Sequence, residues 1–434
     1  MDNPIESKAQ DVLGRAPLAH DFARSLRSLD SSRGAVVGVL GPWGHGKSSF
    51  INLMREEFAA DPKLAVIDFN PWMFSGTQQL VDHFFDELAT HFKQLKDPTL
   101  KAAAKLIEEY GESISSVAGL LGPLGVLGAA VFRGSAKTLS RHRGARDKYR
   151  KASELLAKLE QPLVVVIDDI DRLTSEEIRD VFKLVRLTAS FPNVIYLLAF
   201  DRARVEEALT EPGIPGRTYL EKIIQLGFDL PATPPGVLRS HVFSALDASL
   251  SGLEGEPRLH MERWPDIYVE IIEPLISNMR DVVRFAASVR PTLYDLAAEI
   301  ESVDLFAMEA FRIFRPDMFL ELRTMTLTLT ETAPGGREAP ERKERIQALV
   351  TSAGDDAEVV RSLIRRVFPA AQRHIENNNY GAEWKPIWRK EHRLAHADFL
   401  AMYFNRVAPA SLKAFRLAED LRVAMETRRT SKHD

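Results

Sequence analysis

At 434 residues, 45% hydrophobic and 27% charged, the chain has room for two or three domains, and its composition excludes a fibre or a disordered tail. A formal charge of −4 gives no global pull toward nucleic acid; zero cysteines exclude disulfides and thiolate zinc sites and fit a reducing cytoplasm. Met1–Gln10 is polar, with Asp2, Glu6 and Lys8, so no secretory leader is expected and the mature chain is expected to begin near Met1. Residues 1–33 read as a helical lead-in: Leu13, Phe22, Leu26 and Leu29 form an apolar stripe that Ser31-Ser32-Arg33-Gly34 ends. The short, β-branched run Ala35–Leu40 reads as a buried strand, and Ser49–Phe58 carries Phe50, Ile51, Leu53, Met54 and Phe58 at helical spacing.

Between that strand and helix, Gly41-Pro42-Trp43-Gly44-His45-Gly46-Lys47-Ser48 fits G-x-x-x-x-G-K-[ST]. A chance match would lack the flanking strand and helix, and both are present. Gly41, Gly44 and Gly46 let backbone N–H groups close on phosphate oxygens, and the positive end of the helix faces the anion. Lys47 is expected to reach the β- and γ-phosphates and Ser48 to ligate Mg²⁺, with Gly41 through Ser49 forming the nucleotide-binding set. The lead-in is expected beside the base.

A second strand, Leu64–Phe69, ends in Asn70-Pro71-Trp72, and Leu80–Phe92 reads as an amphipathic helix. Residues 96–160 interrupt the pattern as an insertion. Its apolar run Ile114–Phe132 holds Gly119, Gly122, Gly125 and Gly128 at three-residue intervals plus Pro123, and a basic flank runs from Arg133 to Lys151 against the single acid Asp147. That flank is either a solvated helix face or a phosphate or anionic-lipid patch, giving peripheral membrane contact through 114–151. The run approaches the roughly 20 residues of a spanning helix. A single crossing is excluded nonetheless, because Lys47 precedes it, Asp168 follows it, and both must meet one nucleotide; a tightly packed helical hairpin is expected.

Leu163–Ile167 is an apolar strand followed by Asp168-Asp169-Ile170-Asp171-Arg172, a Walker B sequence, since Mg²⁺ needs an acidic shell at the sheet edge that holds the phosphates. Asn193–Phe200, ending in Asp201-Arg202, and Ile223–Leu230, closed by Pro231, complete five strands. Strands alternating with helices predict an α/β fold with a parallel sheet and ligands at its carboxyl edge.

Pro231–Gly236 marks a boundary, beyond which helical periodicity takes over, as in Arg280–Val289 and Phe306–Leu322. Glu331–Arg342 reads as a linker or exposed loop, and Val359, Val360, Leu363, Ile364, Val367 and Phe368 form a stripe before a Trp-rich turn at Trp384 and Trp388. The expected division is a nucleotide-binding core (1–236), a helical lid (237–330) and a C-terminal helical region (343–434). His392 and His396, one turn apart on a predicted helix, are a metal pair with no third ligand at firm spacing. Ser431–Asp434 echoes a guanine-reading element but follows no core strand, so ATP is expected over GTP.

Together these motifs resemble the KAP family of P-loop NTPases. The resemblance rests on Asp11-x-Leu13-Gly14-Arg15, the Gly-x-Trp-Gly-x-Gly-Lys-Ser loop, Phe69-Asn70-Pro71-Trp72, Asp168-Asp169-Ile170-Asp171-Arg172, Ala199-Phe200-Asp201-Arg202 and Tyr219-Leu220-Glu221-Lys222-Ile223-Ile224-Gln225. It covers most of residues 11–320, with Met279–Phe285 and Val303–Pro316 similar to the family's helical module. It implies a sheet of the ASCE type, in which the strand ending at Asp201 lies between the two Walker strands. It further implies that Arg15 joins the nucleotide-binding set, that Asp168 and Ser48 hold the Mg²⁺ shell, and that Asp169 orients attacking water. Asp171 is implied as a second catalytic carboxylate or a helix cap. Asp201 is implied as a γ-phosphate sensor, and Arg280 as a lid-borne transition-state arginine with Arg172 and Arg202 as competitors. Family members usually carry transmembrane segments between the Walker motifs, where this chain has one apolar run. Several bacterial members sit in anti-phage defence operons.

The expected function is Mg²⁺-dependent ATP hydrolysis that drives a switch or assembly, in a homo-oligomer or with a partner protein from the same operon. Two alternatives stand beside it: a nucleotide-stabilised scaffold with little turnover, and a nucleic-acid-associated motor.

Overall fold

The computed structural model describes residues 3–60, 64–73, 77–94, 98–118, 136–253, 256–332, 340–376 and 378–407, with 409, 411, 412 and 417. Of the apolar run 114–132 only the start, to residue 118, falls within these bounds; the remainder of that run and the echo at Ser431–Asp434 lie outside the described residues. The chain divides into two compact units, Asn3–Ala232 and Thr233–Asp434.

In the first unit the strands are β1 (Ala35–Leu40), β2 (Ala65–Phe69), β3 (Leu163–Ile167), β4 (Val194–Phe200) and β5 (Leu226–Asp229), in the order β2-β3-β4-β1-β5. All pairs are parallel, with Val39 opposite Ala199 and Ile167 opposite Leu198. The strand ending at Asp201 therefore lies between the two Walker strands. β5 is shorter than the apolar run Ile223–Leu230, because the N–H groups of Ile223 and Ile224 are spent on the Leu220 carbonyl at the end of the preceding helix.

Alternation of side chains across the sheet divides its residues between two cores. Val36, Leu40, Val165, Ile167, Tyr196 and Leu198 face one side. Val37, Val39, Val164, Val166, Ile195 and Leu197 face the other. The second side is covered by α1 (Ala16–Arg27) and α2 (Lys47–Ala59), where Phe22 of α1 and Phe50 of α2 meet Phe228 of β5 at centroid distances of 4.5 and 5.5 Å. The first side is covered by α3 (Thr77–Gln94), α4 (Pro98–Ala118), α5 (Ala136–Leu156) and α6 (Ser175–Thr188). Leu100, Ala103, Ala104, Ile107, Ala152 and Leu156 are buried in that same core, so both arms of the predicted insertion help to build it.

The lead-in is helical only from Ala16. Before it stand a single 3₁₀ turn, Lys8–Gln10, and a bend at Gly14 with φ 65°, which takes Leu13 off the predicted stripe.

The second unit is helical around one apolar cluster that runs from Leu238 to Leu412. Its longer helices include Pro235–Leu250, Met279–Leu296, Ser302–Phe314, Pro340–Ser352, Ala357–Val367 and Ala397–Asn405. The predicted helix Phe306–Leu322 is two helices, broken at Arg315 (φ −136°, ψ 60°), because the ring of Pro316 forces the preceding residue out of helical geometry. Pro340, read as part of a loop, opens the helix Pro340–Ser352, where its missing N–H costs nothing. The Trp-rich turn is likewise a helix, Trp384–Lys390. Among the described residues, no helix is long and apolar enough to cross a membrane.

Candidate nucleotide site

The loop after β1 is shaped by backbone conformations only glycine takes cheaply. Gly44 has φ 85° and Gly46, the residue capping α2, has φ 84°. The first turn of α2 follows at once, so its unpaired N–H groups and positive end open at the carboxyl edge of the sheet. Lys47 is 8% exposed, and its ammonium donates to the Gly41 carbonyl at 2.9 Å, the Pro42 carbonyl at 3.3 Å and Asp171 Oδ2 at 3.0 Å. An ammonium has three donors, and all three are engaged at this edge.

Asp168, Asp169 and Asp171 follow β3, two strands from the loop. The Asp169 N–H donates to Asp168 Oδ1 at 2.8 Å, which orients the Asp168 carboxylate. Asp169 itself has φ 58°, a left-handed conformation uncommon for a residue with a side chain, and its carboxylate pairs with Arg172 at 2.8 Å. Burial and the neighbouring Asp168 charge raise its pKa above the ordinary aspartate value, against the opposing pull of Arg172. Asp171 does not cap the next helix. Thr174 does, accepting from Glu177 N–H while Glu177 reaches back to Thr174 N–H, a capping box. Asp171, freed from that role and 10% exposed, faces Lys47.

The segment Asp11–Arg15 is a device for aiming one guanidinium. Asp11 accepts from Leu13 N–H and Ala16 N–H, at 3.2 and 2.7 Å, and Gly14 turns the chain. Arg15 then donates to the His45 carbonyl at 2.5 Å and the Pro231 carbonyl at 2.8 Å, bracing the phosphate loop against the end of β5. Burial lowers its pKa, partly offset by Asp11. Gln225, last in the motif Tyr219–Gln225, extends the β1–β5 ladder. Its side-chain oxygen accepts from Val36 N–H, and its own N–H donates to the Val36 carbonyl at 3.0 Å.

The remaining predicted residues lie as follows. Ser48 stands in the first turn of α2, and the Ser49 hydroxyl accepts from Ile5 N–H at 3.2 Å. Trp43 is 61% exposed on the loop. Asp201 caps the helix Arg202–Leu209 by accepting from Ala203 and Arg204 N–H at 2.9 and 3.4 Å, so its carboxylate carries a local structural duty at the sheet edge. Arg172 is held by Asp169. Arg280 belongs to the second unit, in the first turn of the helix Met279–Leu296.

The predicted pair His392 and His396 does not sit on one helix. His392 has φ 56° in an irregular segment and its Nδ1 meets the Glu299 carbonyl at 2.7 Å, while His396 Nδ1 accepts from Asp398 N–H to cap Ala397–Asn405. Among the described residues no group of three or more His, Cys, Asp or Glu is placed to hold a metal.

The oxygen donors Ser48 and Asp168 suit a hard divalent cation such as Mg²⁺ better than a soft metal, so the donor set fits the ion the fold implies. The sequence did not reveal the Lys47–Asp171 contact or the double carbonyl grip of Arg15; both join residues far apart in the chain.

The model for the KAP family P-loop domain matches residues 15–295. The chain is similar to the phage T7 exclusion protein of Escherichia coli (strain K12), 30% identical over 286 residues, a match that takes in 59% of this chain and 38% of that protein. Among solved structures it is similar to the Aeropyrum pernix ORC2 protein in ADPNP–ADP complexes, at 13% identity and a TM-score of 0.35 over 83% of this chain and 94% of that one. It is also similar to a Thermotoga maritima RuvB structure, at 13% identity and a TM-score of 0.34 over 84% and 90%.

Proposed function

The chain belongs to the KAP family, and from that premise we propose that it binds Mg²⁺–ATP on the Gly41–Ser49 loop and hydrolyses it as a nucleotide-driven switch. The observation that carries this reading is the pairing of Lys47 with Asp171, which brings the end of β3 to the phosphate loop across β4. Lys47 would exchange Asp171 for terminal phosphate oxygens, and the loop N–H groups would hold the others. Ser48 and Asp168 would hold Mg²⁺, whose charge supports the β- and γ-phosphates. Asp169 is proposed as the group that orients and deprotonates water, a role for which a raised carboxylate pKa is suited. Asp201 at the γ-phosphate and Arg280 as a transition-state arginine are proposed with it.

Similarity to a phage exclusion protein over 59% of the chain supports a role in anti-phage defence, exercised in the cytoplasm through a homo-oligomer or a partner from the same operon.

Lys47→Ala is the direct test. Losing a charge-assisted contact of about 1.5–3 kcal/mol should weaken ATP binding roughly 10- to 100-fold by calorimetry. Unchanged affinity would remove the loop from the nucleotide site.

A further inference from the structure

The second unit contains a cavity of about 280 Å³ that belongs to no part of the nucleotide site described above. Its lining includes Tyr380, Trp384, Trp388, Arg263, Arg366 and Arg393. Trp388 is 1% exposed, whereas Trp384, stacked 30° from it at a centroid distance of 6.3 Å, is 38% exposed. Tyr380 meets Trp384 edge-on at 5.2 Å.

The arginines are held by carboxylates, most of which do not line the cavity. Arg263 pairs with Glu301 and Asp304, both 0% exposed, and Arg366 pairs with Glu270 at 2.6 Å. Charge is thereby balanced, while indole, phenol and guanidinium groups form much of the wall. Arg393 is 11% exposed and donates to the Arg366 carbonyl, yet its Nε–H is buried with no hydrogen-bond acceptor; the Asp304 carboxylate, at 3.6 Å, is beyond hydrogen-bond length. That Nε lies against the buried Asp304 carboxylate and has next to no accessible surface, so the contacts open to a ligand here are to the ring and guanidinium faces.

Planar walls of aromatic and guanidinium groups match the chemistry of a heteroaromatic ring. A purine answers it best among the bases, since it offers the larger ring face for stacking on an indole or on a guanidinium held in place by its carboxylates. The volume is on the scale of about one base with its sugar. We propose that this cavity binds a single purine nucleotide unit, its base stacked on Trp384. The unit is supplied either as a free nucleoside monophosphate or as the end of a single strand.

The test uses the full chain carrying Lys47→Ala, so that the loop of the first unit contributes little, and measures binding of guanosine monophosphate and adenosine monophosphate by equilibrium dialysis. One equivalent of saturable purine binding is expected, with cytidine monophosphate weaker. Trp384→Ala should weaken binding at least tenfold, in keeping with loss of one stacking platform, and Trp384→Phe should restore most of it. Trp384→Phe also guards against misfolding, because it keeps a ring beside Trp388. A guanine-ended single-stranded oligonucleotide that displaces the monophosphate assigns the strand as source; one that does not assigns the free nucleotide. Absence of saturable purine binding at millimolar ligand, or full binding by a folded Trp384→Ala chain, overturns the proposal. Neither result bears on Lys47.

Discussion

Asp169 combines a left-handed backbone with a pKa raised by burial and by the neighbouring Asp168 charge. Such a backbone costs about 1–2 kcal/mol in a residue with a side chain and persists where its surroundings enforce it. If Asp169 is the base, Asp169→Asn should retain Mg²⁺–ATP while losing hydrolysis in a phosphate-release assay. Loss of turnover from Asp171→Asn with Asp169→Asn still active would move the base two residues on. The pH dependence has a definite sign. A base works unprotonated, so activity falls as pH drops through its pKa. Arg172 pulls that pKa down, so Arg172→Ala should raise it and move the acid limb of the rate profile to higher pH. An acid limb that stays in place or moves down would detach Asp169 from the rate.

At the scale of elements, the strand, glycine loop and helix from Ala35 to Ala59 were legible because each signal is local. Apolar alternation, φ-permissive glycines and helical spacing lie within a few residues of one another. Gly46→Ala should damage this unit most. Its φ of 84° excludes an easy Cβ, and that Cβ would stand 3.1 Å from Arg15 Nη1, so both nucleotide affinity and melting temperature should fall. Thr174→Ala removes one half of a capping box and should cost about 1 kcal/mol in urea unfolding, with ATP affinity little changed. Contacts such as Arg15 with the Pro231 carbonyl or Lys47 with Asp171 were not legible, because nothing in local spacing says which distant residues a sheet brings to one edge. The break at Pro316 was missed for the opposite reason. Apolar periodicity continues through Phe314, Met318, Phe319 and Leu322, and the pattern outweighed a plain local stop signal.

Across the whole molecule, each unit has its own apolar core, and in the second a buried polar centre joins helices distant in sequence. Glu309 is 0% exposed and accepts from Ser288 of Met279–Leu296, from Arg312 one turn along its own helix at 2.7 Å, and from Tyr403 of Ala397–Asn405 at 2.9 Å. Burial, and then the adjacent Glu309 charge, hold the Tyr403 pKa well above its ordinary value, so the phenol remains a donor. A carboxylate this deep is tolerable only while its donors are in place, so removing one should cost more than the loss of a surface bond. Tyr403→Phe should destabilise the unit by about 1.5–3 kcal/mol, the range for a hydrogen bond to a charged group. Glu309→Gln should cost less when combined with Tyr403→Phe than the two changes cost separately, because they dismantle one interaction. Urea unfolding of the single and double variants measures that coupling. Additive losses would mean that Glu309 and Tyr403 stabilise the unit independently.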